Sequence, residues 1–200
     1  MMEKLVGISD EELARRARAG SSLCFEELVR RWQVPLMRFL VRRMGRRSDA
    51  EDVVQETFVR AYQALGQYRD SRPFRTWLFT IGYRAGVSHG RKVRAREAAE
   101  ANVEAGRGEE RPVERLGREE EGRELWEVAK AVLTEEQFGA VWLYYVEEMT
   151  AGEIARVLGR SWVGVKTMLH RARKRLMPHL AKLVGGGEVG VGEEVKAGGI

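Results

Sequence analysis

The 200-residue chain predicts an all-α fold, in two small helical domains joined by a flexible linker. Three observations carry that expectation. Helix-opening signals of the form Ser/Thr-x-x-Glu/Gln recur at Ser9, Ser48, Thr134 and Thr150. Behind each of them, apolar residues return at three- and four-residue spacing, the period of one helix face. No alternating strand pattern competes. AVWLYYV, residues 140–146, is rich in strand formers, but it follows the Thr134 signal and spaces Phe138, Val141, Trp142 and Tyr145 as a helix does.

The elements follow in chain order. Ser9-Asp-Glu-Glu12 is a capping box: the Ser9 hydroxyl accepts from a free backbone N–H and Glu12 reaches back. Its helix is expected to end at Gly20. A second helix starts near Ser22 and turns Phe25, Leu28, Val29 and Trp32 to one face; Pro35 is expected to break or kink it. Leu36, Phe39, Leu40 and Met44 continue the stripe to Gly45. Ser48-Asp-Ala-Glu51 opens a third helix, with Val53, Val54, Phe58, Ala61, Tyr62 and Leu65 inside. The loop GQYRDSRP precedes a helix that begins near Phe74. In the second half, Thr134 and Gln137 box a helix running to about Val146. Thr150 and Glu153 box a short helix ending at Gly159, and Ser161 caps the last one.

Charge sets the domain boundaries. Residues 1–96 carry a net +9, residues 97–124 a net −5, residues 125–184 a net +3 and residues 185–200 a net −2. The acidic segment has Gly, Pro and few large apolar residues, too few to offset the entropy of ordering it, and is expected to be a linker. The Gly-rich last sixteen residues are expected to be a disordered tail.

Several function classes are excluded. One cysteine, Cys24, forbids an internal disulfide and reads as a core residue. No leader-like apolar stretch opens the chain, and no run approaches the ~20 residues of a membrane helix. A cytoplasmic protein without membrane insertion is expected. His89, His170 and His179 lack metal-site spacing and no phosphate-binding loop occurs, so neither an enzyme nor a cofactor is expected.

GRSWVGVKTMLHRARKRL, residues 159–176, carries the strongest functional signal. No Asp or Glu occurs between Glu153 and Glu188. Val165, Leu169, Ala172 and Leu176 form the buried stripe, which leaves Lys166, His170, Arg171, Arg173 and Lys174 facing outward. A short helix, a Gly turn and a basic helix make the helix-turn-helix arrangement, whose second helix enters the major groove. Acids there would oppose a duplex carrying one charge per ~1.7 Å.

Two more segments need partners. PFRTWLFTIGYRAGVSHGRK, residues 73–92, interleaves Phe74, Trp77, Phe79 and Tyr83 with Arg75, Arg84 and Arg91, a mixture suited to single-stranded nucleic acid. Core packing is the competing account, and for Trp77, Leu78 and Ile81 the better one; Phe74 and Tyr83 stay open between the two. In DAEDVVQETF, Asp49, Glu51 and Asp52 complement a helix dipole, which is enough for stability. Asp52, Gln55, Glu56 and Val59 also form an outward ridge suited to another protein.

FEELVRRWQVPLMRFLVRR, DAEDVVQETFVRAY, PFRTWLFTIG and EIARVLG with VKTMLHRARKRL stand in the order of a known family. From about residue 9 to 183 the chain resembles bacterial RNA polymerase sigma factors of the extracytoplasmic-function group. The resemblance implies a region-two domain whose Asp49, Glu51, Asp52, Gln55 and Glu56 dock on the clamp of the core RNA polymerase largest subunit. It implies that Tyr68, Phe74, Arg75, Thr76, Trp77, Tyr83, Arg84 and Arg91 open the minus-ten element and hold its single strand. It implies a linker running toward the RNA exit path. It implies a region-four domain that touches the polymerase flap and reads minus-thirty-five duplex DNA with Ser161, Trp162, Gly164, Lys166, Thr167, His170, Arg171, Arg173 and Lys174. Proteins of this group are often restrained by an anti-sigma factor.

The chain departs from the family pattern in places. Arg84 and Ser88 replace a common Asn and Asp, and Gly82, Gly86 and Gly90 fall four apart on one helix face. Close approach of a helix or DNA and a poorly formed helix end remain two readings of those glycines. Trp162, Val163 and Gly164 stand where Glu, Gly and Thr are frequent, and Met168 where Arg is. Trp162 is open between a thymine methyl, backbone sugar and the core. A free-standing helix-turn-helix regulator with a sensory first domain is the alternative function; it leaves the acidic ridge and the aromatic segment without a role.

Overall fold

A computed structural model describes residue 5, residues 7–101 and residues 123–183. The elements are α1 (Asp10–Arg18), α2 (Ser22–Met44), α3 (Arg47–Gln63), a 3-10 turn (Leu65–Gln67), α4 (Phe74–Ala101), α5 (Arg123–Val132), α6 (Glu135–Tyr145), α7 (Ala151–Leu158) and α8 (Trp162–Leu183). No strand occurs among the described residues. α4 runs past the expected boundary at 96, and α5 starts inside the expected linker. Residues 102–122 of that linker and the 185–200 tail lie outside the described residues.

The first four helices pack around Leu13, Leu28, Leu36, Phe39, Leu40, Val53, Leu78 and Phe79, all buried. Ser9 caps α1 by accepting from the Glu12 backbone N–H at 3.2 Å, but the Glu12 carboxylate turns to Arg15 and Arg16 instead of reaching back. α2 passes through Pro35 as one helix, which removes the break from the two expected outcomes. Pro35 removes one backbone donor, at a cost of roughly 3 kcal/mol. Fully buried Leu28 and Leu36 anchor the helix on both sides of it. Arg31 adds a tie to α1, reaching Asp10 at 2.9 Å and the Ile8 carbonyl at 2.8 Å. Its neighbour Glu27, held between Arg30 and Arg31, has its carboxyl depressed to about 2.

α3 opens two residues before the expected Ser48 box. Extended Arg46 is its N-cap, with no side-chain bond, and Arg47 pairs with Glu51 at 2.8 Å. The inward face is Ala50, Val53, Val54, Thr57, Phe58 and Ala61. Tyr62, expected inside, is 58% exposed and lays its ring edge-on against Phe25 at 5.0 Å.

Gly82 and Gly86 let α4 lie close to α2. A Cβ on Gly82 would stand 2.8 Å from Leu36 Cδ1, and one on Gly86 would stand 3.0 Å from Arg43 Nη1 and 3.4 Å from Leu40 Cδ2. Close approach of a helix therefore accounts for two of the three glycines. Gly90 has nothing within 4 Å, yet α4 continues through it.

α5 to α8 form the second bundle. Trp126, Phe138 and Trp142 cluster with ring centroids 4.7–6.2 Å apart. The Thr134–Gln137 and Thr150–Glu153 capping boxes are both complete. Gly159 ends α7 in the left-handed region (φ 66), the conformation that favours glycine. Ser161 accepts from the Gly164 N–H at 3.1 Å and so opens α8.

The two bundles pack against each other. Arg42 pairs with Glu127 at 3.0 Å, and Arg43 and Arg94 both meet Glu135. α4 lies along α7, and the Thr76 hydroxyl donates to Glu153 Oε1 at 2.9 Å in a buried bond. Arg75 stands 3.5 Å from the same carboxylate and donates to the Glu147 carbonyl at 3.1 Å.

Candidate nucleic-acid and polymerase interfaces

Helical period alone puts Val165, Leu169, Ala172 and Leu176 on one side of α8, and all four are buried. The opposite side exposes Ser161, Trp162, Lys166, Thr167, His170, Arg171, Arg173 and Lys174, while Gly164 is half-buried. Each residue expected to meet the minus-thirty-five duplex is therefore at or near the surface of one helix. Two are pre-positioned by aromatic rings. Lys166 Nζ lies 3.9 Å over the Trp162 ring. Arg173 Nε donates to the Tyr145 hydroxyl at 2.8 Å, and its guanidinium lies 5.3 Å from the Tyr144 ring centre. Trp162 is 52% exposed, which removes the core from its three readings. Sequence spacing gave no signal for the Tyr145–Arg173 pair, because the contact crosses from α6 to α8.

The acidic ridge of α3 is graded. Asp52 and Gln55 are exposed, and Asp52 makes no ion pair among the described residues. Glu56 pairs with Arg60 one turn on, and Glu51 with Arg47. Asp49 is half-buried, 3.7 Å from Arg46 and 3.8 Å from His89. Val59 and Tyr62 extend the ridge as exposed apolar surface.

The aromatic segment differs most from expectation. Tyr68 is 2% exposed, and Phe74, Thr76 and Tyr83 are buried as well. In this arrangement those four do not face nucleic acid, and the open choice for Phe74 and Tyr83 falls to the core. The physical reason is packing from three sides. Tyr68, Phe74 and Trp77 form a ring cluster with centroids 5.2–5.7 Å apart. Glu11 of α1 accepts from the Phe74 N–H at 3.0 Å, capping α4 from across the bundle. α7 covers Thr76, and Arg43 lies 4.6 Å over the Tyr83 ring. Burial pushes the Tyr68 and Tyr83 hydroxyls up. Arg84 and Arg91 remain exposed, Arg75 and Trp77 are half-buried, and Arg69, Asp70, Ser71 and Arg72 expose the preceding loop.

Glu153 was legible only as a capping residue. Its second role, binding α4, joins residues 77 positions apart. Burial pushes its carboxyl up, but bonds from the Thr150 backbone and hydroxyl and from Thr76, with the Arg75 charge, hold it below the ordinary range. In the same seam Glu147 is pushed up by burial, despite the Trp142 N–H and the charges of Arg75 and Arg38. Glu148 takes a left-handed backbone (φ 50), unusual for a side chain with a Cβ, and its carbonyl is 3.4 Å from Arg75 Nη2.

These features define a two-bundle helical protein with a helix-turn-helix in the second bundle and an exposed acidic ridge, flanked by Val59 and Tyr62, on the first. The comparisons refine that class. Residues 28–96 match the family described as Sigma-70 region 2, and residues 123–176 match Sigma-70, region 4. The chain is 32% identical over 181 residues to the RNA polymerase sigma factor CnrH of Cupriavidus metallidurans, covering 84% of this chain and 92% of that one. It is 31% identical over 178 residues to the ECF RNA polymerase sigma-E factor of Salmonella typhimurium, covering 84% and 93%. The fold is similar to CnrH in complex with the cytosolic domain of CnrY, with a TM-score of 0.63, 30% identity and coverage of 86% and 97%. It also resembles the sigma factor RpoE of Bartonella quintana, solved with the anti-sigma factor NepR, with a TM-score of 0.64, 22% identity and coverage of 78% and 96%. The chain belongs to the RNA polymerase sigma factors of the extracytoplasmic-function group.

No described helix is long and apolar enough to cross a membrane.

Proposed function

We propose that this protein binds core RNA polymerase and directs it to promoters, where it recognises and helps to melt the DNA. One observation carries the reading: both sigma regions stand in order on one chain, and the second ends in α8, whose outer face holds basic residues and no acid. A free-standing regulator with a sensory first domain would leave the region-two match over residues 28–96 without a role.

The parts take distinct tasks. Asp52, Gln55 and Glu56, with Val59 and Tyr62 beside them, dock on the polymerase clamp. Arg84, Arg91, Trp77 and the loop from Arg69 to Arg72 face the minus-ten strand. α8 reads the upstream duplex, its phosphate contacts setting register while its first turn meets base edges. No covalent bond changes; binding energy offsets the few kcal/mol needed to unstack a base. CnrH assembles with the cytosolic domain of CnrY. By that analogy an anti-sigma partner belongs to the proposal, and the setting is the cytoplasm.

The test is charge reversal on the ridge. Asp52→Lys with Glu56→Lys should weaken association with core polymerase at least ten-fold while thermal melting shifts little, since both side chains reach solvent. Unchanged affinity would remove α3 as the docking helix.

A further inference from the structure

The first turn of α8 is chemically unusual for a helix that meets base edges. Its most exposed side chains are Trp162 and Val163, at 52% and 64%. Neither carries the two-pronged donor–acceptor group that distinguishes adenine or guanine in the major groove. The Ser161 hydroxyl is held at the cap by accepting from the Gly164 N–H, which leaves a single O–H as its donor and no two-pronged group. Gly164 offers no side chain, and a Cβ there would stand 3.1 Å from the Ser161 hydroxyl oxygen, crowding the cap. What the turn presents is a flat indole, a branched aliphatic group and almost no hydrogen-bonding capacity.

Only one group on a major-groove base edge is apolar, the C5-methyl of thymine. We infer that Trp162, with Val163 beside it, is the specificity-determining contact of α8, and that it selects thymine by covering C5-methyl groups in the major groove. The inference rests on the reading of α8 as the duplex-facing helix. Lys166 is a positioning residue: its ammonium lies 3.9 Å over one face of the indole, and Trp162 as a whole stays 52% exposed. The surroundings favour DNA as the occupant. Lys166, Arg171, Arg173 and Lys174 follow the apolar pair along the same helix, and the whole stretch from residue 154 to 187 lacks an acid. An apolar first turn followed by a basic, acid-free helix complements a phosphate-bordered groove with methyl groups on its floor.

The experiment uses the full chain bound to core polymerase. Duplexes are selected from a random pool at the upstream position. Each selected thymine is then replaced by deoxyuridine, which removes the methyl group alone, and each selected cytosine by 5-methylcytosine, which adds one. At one or more positions, deoxyuridine should lower affinity roughly four-fold per methyl, the factor carried by burying one CH2-sized group. Trp162→Ala should abolish that difference, and Trp162→Phe should keep part of it. Lys166→Met should shrink the thymine-to-uracil ratio, and Lys166→Arg should restore it. Arg171→Ala serves as the control: it should weaken all duplexes alike and lower the salt slope while leaving the ratio intact.

Three outcomes overturn the inference. A selected element bound equally with thymine or uracil would do so while leaving α8 as the reading helix. So would Trp162→Ala losing polymerase affinity with its DNA preference unchanged, which would make the pair a protein contact. Selection of no upstream element, with no effect of Arg171→Ala on salt dependence, would remove the reading of α8 and this inference together.

Discussion

Gly82 and Gly90 sit on the same face of α4, and the same substitution should act on them with opposite sign. At Gly82 a methyl meets fully buried Leu36 at 2.8 Å, so Gly82→Ala should cost about 1–3 kcal/mol through overpacking. At Gly90 nothing stands within 4 Å, so Gly90→Ala should stabilise by about 0.5–1 kcal/mol through helix propensity and reduced unfolded-state freedom. Urea melting of the two variants checks both; equal effects would mean that α4 does not approach α2 as described. At this scale the sequence was legible wherever a helical period decides the outcome. The α8 stripe of Val165, Leu169, Ala172 and Leu176 is an example. It was less so at Tyr62, whose period places it at the margin of the buried face of α3. Whether a marginal ring is covered depends on the neighbouring helix, and here Phe25 makes a T-shaped contact that leaves Tyr62 58% exposed.

Among the elements, caps with a side-chain bond were the most legible. Thr134 and Thr150 make the boxes that their spacing predicts, because a capping box needs only four consecutive residues. Ser48 has the same spacing and does not cap, since the chain turns two residues earlier at Arg46. The seam between α4 and α7 was not legible, because Thr76 and Glu153 meet only after both bundles form. Thr76→Val keeps the size of the side chain and the Thr150–Glu153 box but removes the buried bond. It should weaken the seam by about 1.5–3 kcal/mol, the range for a hydrogen bond to a charged group. Small-angle scattering of the free protein should show an increased radius of gyration, with helix content unchanged. An unaltered radius would mean that the bond does not hold the bundles together. Glu153 titrates below the ordinary carboxylate range, so its contribution is fully present above that range. As pH falls through the lowered folded value that contribution is lost, but Glu147, pushed up by burial in the same seam, is protonated first and opposes the loss, so loosening from Glu153 is expected only below the ordinary carboxylate range.

On the scale of the whole molecule, the second bundle covers part of the aromatic segment that the resemblance assigns to the minus-ten strand. Thr76 bonds to α7, Arg75 holds the Glu147 and Glu148 carbonyls, and Tyr83 packs beside Gly139. The two sigma regions, their order and the basic last helix were all legible, because each is encoded locally. Their mutual packing was not, because it depends on ion pairs such as Arg42–Glu127 between residues far apart in the chain. In the proposed function one bundle grips the polymerase while the other anchors it upstream on a promoter. The most direct measurement is in vitro transcription from fragments of the host genome by core polymerase with and without this protein. Discrete start sites that depend on the protein, and that disappear with Asp52→Lys/Glu56→Lys, are the predicted result. Stable binding to the core enzyme without a single new start site would contradict the account.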